Sequence, residues 1–457
     1  MIHRIQGIVW GPGMLFCLMA VGLLYSVASG FFQLRGAKIW WRHTVGSFLS
    51  QEGSRVKSQK RDAHSVTKIQ TVCTALAATV GTGNIVGVAT ALTAGGAGAI
   101  FWMWISAGIG MMTAYAETSL GIRYRYRDDA GRWICGPMVY LERGLHLPWL
   151  AVLYSLLCIF SSLGMGSMVQ SNAIAETLSY IGGMPPLIVG IILTFTVMAV
   201  ICGGISRIAS VSEWLMPICA GIYMIFSLIV IISCYDRLPL VLERIFASAL
   251  LPQAALGGMG GYGISRSLRL GIARGTFSNE AGLGSLAILH GAAENTTPEE
   301  QGMWAMFEVF FDTMVICTMT AFVILCITNG DPKGAHCDGA ALTTFCFEQR
   351  LGLWGHYLVS GAMLVFAFAT IIAWFYLGRQ ALAYLVEQVG KVFPGMGRVS
   401  RGIEDLYLIL YLHAVFLGCL GSLTMVWELS DIWNGLLAIP NLLALVLLIR
   451  QVHYPEK

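Results

Sequence analysis

Long apolar stretches alternate with short polar connections along most of the chain. Runs of more than about 18 apolar residues recur, and that length crosses the hydrocarbon of a bilayer as an α-helix. Because no water is present there, each span must satisfy its own backbone groups, which favours helices over strands. The pattern predicts an all-α polytopic membrane protein with about eleven transmembrane helices. The predicted spans lie near residues 8–34, 70–93, 97–122, 148–181, 185–204, 208–234, 272–292, 303–328, 353–378, 404–424 and 430–450.

Composition agrees with a protein that lies in a lipid bilayer. Hydrophobic residues make up 56% of the 457 residues and charged residues only 12%, against about 25% charged in soluble domains. The net charge of +3 is too small to indicate a nucleic-acid partner. Most of the 12 cysteines fall singly inside apolar stretches, where they act as small apolar side chains. Cys337 and Cys346 share a polar loop on the predicted outer side, so a disulfide and two free thiols are both open there.

The distribution of Lys and Arg predicts the orientation. Loops 35–69, 123–147 and 379–403 are rich in these residues and fall on one side of the membrane when eleven spans are counted. Cytoplasmic loops carry such an excess, so the amino terminus is predicted outside and the carboxyl terminus inside a plasma membrane, the inner membrane of a bacterium. Residues 235–271 are predicted as amphipathic helices on the outer surface. Three arginines fall on the outer side in this scheme and disagree with the rule: Arg266, Arg269 and Arg274. Long loops count weakly in the rule, so the predicted orientation is kept.

Two of the predicted spans are interrupted at mid-depth by glycines and polar residues. The second span contains the run AATVGTGN at residues 77–84, and the seventh contains GTFSNEAGLGS at residues 275–285. The second and seventh spans are five apart in the order of spans, and this odd offset means that they traverse the bilayer in opposite directions. This is the pattern of an inverted repeat whose first helices are both discontinuous. The predicted units are 1–69, an extra helix with its basic loop, then 70–234 and 272–457 as the two repeats.

Broken helices provide groups that bind a zwitterion together with a cation. The amino end of a half-helix offers free N–H groups to a carboxylate, and unwound carbonyls suit a cation. The alternative interpretation is a pair of packing kinks. Among other polar residues inside spans, Gln170 is neutral and is the better candidate for a substrate contact. Buried carboxylates are normally paired inside the bundle, and we interpret Glu117 and Asp312 as ties between helices.

No pattern of a membrane enzyme is found. The sequence contains no H-E-x-x-H, no G-x-S-x-G and no Walker A loop, and its histidines are scattered. The inverted pair of broken helices favours a secondary transporter, with a channel or receptor as the alternative, in which the glycine breaks act as gates or hinges.

Four stretches resemble the alanine or glycine:cation symporter family. The most specific is GGAGAIFWMWI at residues 95–105, and the others are residues 80–85, 169–172 and 277–285. The resemblance implies the leucine-transporter-type fold, five helices plus five inverted, with one extra helix at the amino end. It also implies sodium-driven uptake of a small neutral amino acid, alanine or glycine, with sodium as coupling ion and no other cofactor. Proton coupling and a broader amino-acid specificity remain alternatives.

The same resemblance implies which residues line the site. The substrate carboxylate would meet Thr82, Gly83 and Asn84. The ammonium end would meet Thr79, Thr276, Phe277 and Asn279, with Gln170 facing the same cavity. Sodium would be held by Ala77, Val80, Phe366 and Thr370.

The chain departs from the family pattern beside the implied sodium site. Relatives usually have Ser-Thr where this chain has Ala369 and Thr370. One hydroxyl is therefore missing, and we expect sodium coupling that is retained but weak. Thr276 stands where a large apolar residue is common, and residues 286–290 also differ, which leaves the substrate size open.

Overall fold

The computed structural model describes residues 2–49, 66–250, 259–392, 400–421 and 424–455. Residues 50–65 of the predicted cytoplasmic loop 35–69, and residues 393–399 of the loop 379–403, lie outside the described residues.

The described residues form an almost entirely helical protein, as the apolar pattern predicts. The only strands in this part of the chain are a short antiparallel pair, β1 (Tyr126–Arg127) and β2 (Trp133–Ile134). The helices are α1 (Ile2–Val9), α2 (Pro12–Ala28), α3 (Phe32–Arg35), α4 (Ala37–His43), α5 (Val45–Leu49), α6 (Lys68–Thr79), α7 (Val86–Gly95), α8 (Gly98–Tyr124), α9 (Pro137–Arg143), α10 (Pro148–Ser161), α11 (Gln170–Gly182), α12 (Pro186–Ile201), α13 (Gly204–Ser233), α14 (Leu238–Leu250), α15 (Met259–Asn279), α16 (Ser285–His290), α17 (Pro298–Val309), α18 (Thr318–Ile327), α19 (Gly339–Leu351), α20 (Leu353–Val392), α21 (Ser400–Cys419) and α22 (Thr424–Leu447).

Several of these helices are long and apolar enough to cross a bilayer. Among the described residues there are eight by length and composition, or nine when the bent pair α6 and α7 counts as one span. Helices α12 and α15 are not in this count. Helix α12 is apolar but has only 16 residues, and α15 contains several glycines and arginines. The helical membrane fold is therefore confirmed, while the number of eleven spans stays a prediction.

The order of elements after the first break repeats after the second. The broken pair α6 and α7 is followed by the long helix α8, the short helix α9 and then three spans. The pair α15 and α16 is likewise followed by one long span formed by α17 and α18, then the short helix α19 and three spans. Helix α8 packs against both α15 and α17, so the two halves are interlocked around it.

The seventh span begins earlier than its hydropathy indicates. Helix α15 starts at Met259 rather than near residue 272, so only α14 matches the predicted amphipathic surface segment. The glycines of α15 allow it to pack closely: a Cβ atom at Gly271 would lie only 2.4 Å from the carbonyl oxygen of Ala99. One side of α15 packs on α7 and α8, while Arg266 and Arg269 are exposed on the other. Arg266 and Arg269 therefore belong to a helix and not to a loop.

The ninth span is also longer than predicted. Helix α20 continues to Val392, through the first part of the segment expected to be a loop. This extension is amphipathic, and its polar side chains bind the β1–β2 and α9 region. Tyr126 Oη donates to Glu387 Oε2 at 2.6 Å, and Gln388 Nε2 donates to Glu142 Oε2 at 2.8 Å.

The extra amino-terminal helices lie beside α22 and run in the same direction. Gln6 Nε2 donates to Asp431 Oδ2 at 2.6 Å near the start of both, and Tyr25 Oη donates to the carbonyl oxygen of Leu445 at 2.7 Å near their ends.

The two cysteines between α18 and α20 are not bridged. Cys337 and Cys346 are both free thiols, and Cys346 is buried in α19. Of the two alternatives open in the sequence, the structure has the free thiols.

Candidate substrate and ion site

The first break lies between α6 and α7. Helix α6 begins with a capping box formed by Thr67 and Gln70 and ends at Thr79. Residues 82–84 form one 3-10 turn, and the two half-helices are bent by 59°. The side-chain oxygen of Asn84 accepts from the N–H of Gly81 at 2.9 Å, which stabilises the unwound segment.

The second break lies between α15 and α16 and depends on left-handed backbone conformations. Glu280 has φ 56°, Gly282 has φ 94° and Gly284 has φ 83°. Glu117 of α8 accepts from the N–H groups of Gly282 and Gly284 at 3.2 and 3.1 Å. Asn441 of α22 donates to the same carboxylate at 2.9 Å. Glu117 is therefore a tie between helices, as predicted, and it accepts from two N–H groups of this break.

The two breaks meet at Gly83. A Cβ atom there would lie 3.6 Å from Ser278 Cα and 3.7 Å from the ring of Phe277. On another side of the first break, Thr82 Oγ1 donates to Gln170 Oε1 at 3.2 Å. Gln170 is 2% exposed and begins α11, directly after a π-helical turn at residues 162–169. The structure thus brings Thr82, Gly83, Gln170 and Phe277 together.

The residues implied for sodium also come together, around one hydroxyl. Thr370 Oγ1 donates to the carbonyl oxygens of Ala77 at 3.1 Å and Phe366 at 3.0 Å. A Cβ atom at Gly81 would lie 2.8 Å from the same hydroxyl, so the peptide that joins Val80 to Gly81 lies close to the Thr370 side chain. Three oxygens from α6 and α20 therefore converge where the chain unwinds.

Other residues implied by the resemblance have local partners. Thr79 Oγ1 donates to the carbonyl of Ala75 in its own helix at 3.3 Å. Thr276 is buried, and its carbonyl accepts from the N–H of Glu280. Asn279 donates to Thr313 Oγ1 at 3.0 Å. These three lie in or beside the breaks, but the bonds of Thr79 and Asn279 do not reach Gly83 or Gln170.

Asp312 is also a tie between helices, as predicted, but its partners are not evident from the sequence. It accepts from Asn84 in the first break and from Ser278 in the second, at 2.6 and 2.8 Å. The signal available is a carboxylate inside an apolar span, which by default indicates a functional site. Which groups it faces depends on the packing of three helices and cannot be read from spacing.

Comparison with known proteins decides the family. The family model described as sodium:alanine symporter family matches residues 1–455. The chain belongs to this family. It is 40% identical over 448 residues to an uncharacterized transporter of Haemophilus influenzae, in an alignment that covers 97% of this chain and 92% of the relative. It is 35% identical to the sodium/alanine symporter AgcS of Methanococcus maripaludis, with 98% and 94% covered.

Solved structures show the same fold at low sequence identity. The transporter MhsT, crystallised in complex with L-phenylalanine, superimposes with a TM-score of 0.56 at 14% identity. The alignment covers 85% of this chain and 90% of MhsT. As a member of the sodium:alanine symporter family, the protein is a multi-pass sodium-coupled amino-acid symporter and not an enzyme. The leucine-transporter-type fold is confirmed.

Proposed function

We propose that this symporter takes up small neutral amino acids, alanine and glycine, together with sodium. The observation that carries the proposal is the junction at Gly83, where the unwound segment of the first break lies within ordinary van der Waals contact of Ser278 and Phe277 of the second break. Two broken helices that meet there offer free N–H groups and carbonyls on facing sides, which supports a zwitterionic amino acid as the substrate. The sodium/alanine relative supports the same substrate class.

The two breaks have different roles in this proposal. The first N–H groups of a helical turn have no partner inside the turn, and those of Thr82 and Gly83 stand in that position. They would receive the substrate carboxylate, with Asn84 stabilising the turn. In the second break, Glu117 already occupies the N–H groups of Gly282 and Gly284. The ammonium end would then lie toward the seventh span, near Phe277.

Sodium would bind beside the substrate at Thr370. Its hydroxyl and the carbonyls of Ala77 and Phe366 already converge, and a hard cation prefers oxygen ligands. With Ala369 beside Thr370, the chain offers one hydroxyl there, which supports weak sodium binding. Val80 would contribute its carbonyl from the unwound segment.

Uptake of labelled alanine into proteoliposomes tests the proposal, with sodium and proton gradients imposed separately. We expect accumulation with the sodium gradient alone, competition by unlabelled glycine, and little competition by phenylalanine. Phe195→Leu in helix α12 is a suitable control variant, since the Phe195 side chain is exposed on the outside of the bundle. Accumulation with the proton gradient alone would show proton coupling, and stronger competition by a large amino acid would overturn the substrate class.

A further inference from the structure

A polar cavity lies where helix α13 begins, at the end of the bundle that carries the basic loops. Its volume is about 310 Å³, and its walls are the turn before α13, the β1–β2 region and the last part of α20. Arg132 and Arg379 both line it. Glu404 of α21 lies between the two guanidinium groups and accepts from Arg132 Nη1 at 2.9 Å and from Arg379 Nη2 at 3.0 Å.

Several donors of this cavity have no partner among the described residues. Trp133 lines the cavity, and its Nε1 is buried without a hydrogen bond. Arg132 Nη2 and Arg379 Nη1 have no acceptor in this part of the chain either. A Cβ atom at Gly204 would lie 4.0 Å from Arg379 Nη1, so this nitrogen lies beside the start of α13. No side chain caps α13, which leaves the N–H groups of its first turn open to a ligand.

Positive charge surrounds these donors. Arg125 stacks on the Trp133 ring at 4.1 Å and donates to backbone carbonyl oxygens. Arg207, in the first turn of α13, donates to the carbonyl oxygen of Ala199 at 2.7 Å. Bonds to neutral carbonyls do not neutralise a guanidinium group. Open N–H donors, excess positive charge and the amino end of a helix together suit an anion, and above all a phosphate group.

An apolar groove lies on the same two helices, deeper in the bilayer. Its volume is about 670 Å³, and its walls belong to α13 and α20. Trp214, Ile218 and Tyr357 line it and are 73%, 54% and 50% exposed, so the groove opens toward lipid. At Gly361 of its floor no atom lies within 4 Å of a Cβ position. The groove follows residues 210–223 of α13. These residues span about 20 Å, enough for the ~15 Å acyl layer of one leaflet.

The cavity and the groove lie on one face of each helix. On α13, Gly204 of the cavity and Val211 of the groove are about two helical turns apart. On α20, Val365 of the groove and Tyr376 of the cavity are about three turns apart. Residues separated by whole turns point to the same side of a helix. The two spaces therefore form one crevice between α13 and α20, polar at the end of the bundle and apolar toward the middle of the bilayer.

We propose that this crevice binds one anionic phospholipid. Its phosphate would accept from Arg132, Arg379 and Trp133, and one acyl chain would lie in the groove. Gln380 also lines the cavity, and its Oε1 is buried without a partner, so the hydroxyl of a glycerol headgroup would donate to it. Basic cavities between spans on the cytoplasmic side bind such headgroups, and the predicted orientation puts this cavity on that side. The inference does not depend on which amino acid or ion is carried.

Native mass spectrometry of the delipidated full-length chain tests the site, with phosphatidylglycerol, phosphatidylcholine and free glycerol 3-phosphate as ligands and without alanine. We expect one phosphatidylglycerol molecule to bind roughly tenfold more tightly than phosphatidylcholine. Free glycerol 3-phosphate should not displace it, because the acyl chain contributes to binding. Equal affinity for the two lipids would overturn the proposal. Displacement by glycerol 3-phosphate would show a site for small anions and would also overturn it.

Two variants test the headgroup contacts. Arg379→Gln should reduce the affinity for phosphatidylglycerol roughly tenfold or more, with Arg350→Gln at an exposed position of α19 as the control. Trp133→Phe removes a donor that has no partner in the protein, so the fold loses no hydrogen bond and the test stays decisive if Arg379→Gln does not fold. We expect roughly tenfold weaker binding here too. Trp149→Phe is the control, since Trp149 is 65% exposed in α10. Parent-like affinity in folded Trp133→Phe would contradict the headgroup site.

Gly361→Leu tests the groove separately. The leucine side chain would occupy space that the acyl chain needs, and we expect affinity to fall roughly tenfold, the effect of about two methylene groups left unburied. Gly390→Leu is the matched control, because it lies on the same helix and also has no atom within 4 Å of a Cβ position. Unchanged binding of phosphatidylglycerol to Gly361→Leu would remove the acyl chain from the groove and overturn the proposal.

Discussion

At the scale of single residues, the proposed sodium site depends most on the hydroxyl of Thr370. It bonds to the carbonyls of Ala77 and Phe366, one from each of the two helices that meet there. Ala369 beside it offers no oxygen. The side chain of Phe366 faces Tyr223 instead, with ring centroids 6.1 Å apart, so Phe366 contributes only its backbone. Thr370 is therefore the one residue of the proposed sodium site whose side-chain oxygen a mutation can remove.

Thr370→Val should raise the sodium concentration needed for half-maximal alanine uptake. Valine has nearly the same shape, and the loss of one neutral polar contact costs about 0.5–1.5 kcal/mol, which is roughly 2- to 13-fold in affinity. The effect is measured as the rate of alanine uptake over a series of sodium concentrations. Thr196→Val is the control, because the Thr196 hydroxyl bonds to its own helix on the exposed side of α12. Superimposable curves for Thr370→Val and the parent would remove Thr370 from the site.

Gln170→Ala should weaken alanine uptake while the protein stays folded. Gln170 accepts from Thr82 in the first break, and its amide donates to the carbonyl of Met165 at 3.4 Å. Losing a hydrogen bond next to a charged substrate costs about 1.5–3 kcal/mol, roughly a 10- to 150-fold rise in half-saturating alanine. Concentration curves of uptake, with size-exclusion profiles as the folding check, measure this. Gln349→Ala, at an exposed position of α19, serves as control; parent-like affinity in Gln170→Ala would make Gln170 a packing residue.

At the scale of elements, the second break depends on backbone conformations that only a few residues tolerate. Gly284 has φ 83°, and a Cβ atom there would lie 2.2 Å from Pro137 Cγ and 2.9 Å from Tyr154 Oη. Helix α16 therefore starts where it does because glycine permits both the left-handed turn and the close approach of α9 and α10. Glu117 then fixes this start through the N–H groups of Gly282 and Gly284.

Gly284→Ala should destabilise the protein strongly. A left-handed conformation costs an L-residue about 1–2 kcal/mol, and the overlap with Pro137 adds to this because both groups are held by backbone. The thermal unfolding temperature in detergent measures the loss. Gly361→Ala is the matched control, since no atom lies within 4 Å of a Cβ there and Gly361 is inside helix α20. The control should be neutral or slightly stabilised, and equal unfolding temperatures for the two variants would contradict the argument.

At the scale of the whole molecule, both halves are joined around α8, and the extra amino-terminal helices lie parallel to α22. The bonds Gln6–Asp431 and Tyr25–Leu445 connect the corresponding ends of these elements. The amino terminus and the start of α22 must then lie on the same side of the membrane. Which side that is follows only from the basic residues of the loops, so the orientation stays a prediction.

Labelling of single cysteines tests this orientation. In a background without the 12 native cysteines, an impermeant thiol reagent should label Lys333→Cys on intact cells and should leave Lys57→Cys unlabelled. Lys57 belongs to the basic loop that we expect in the cytoplasm, and Lys333 to the loop on the opposite side. Permeabilised cells provide the control that position 57 is reactive. Labelling of position 57 from outside would invert the topology.

The sequence by itself determined the helical membrane fold and the position of both breaks. Transfer of apolar side chains into lipid is a property of each residue and adds up over a window, so a stretch of sequence is enough to predict a span. Glycines with polar neighbours inside such a stretch indicate a break, and this signal also needs only a short stretch of sequence. The resemblance added residues of the site, and several of these are close to one another in the structure: Thr82, Gly83, Gln170 and Phe277 at one place, and Ala77, Phe366 and Thr370 at another.

Only the tertiary structure decided which helices extend beyond their apolar segments and what each buried carboxylate binds. Helix α15 begins at Met259 and packs on α7 and α8, and contacts of this kind cannot be registered by a hydropathy window. Glu117 and Asp312 look alike in sequence, as single carboxylates in apolar spans. In the fold, Glu117 takes fixed backbone N–H groups, while Asp312 faces polar side chains of both breaks. The difference arises from contacts between residues far apart in the chain, and such contacts depend on the packing of the helices rather than on the order of residues within any one of them.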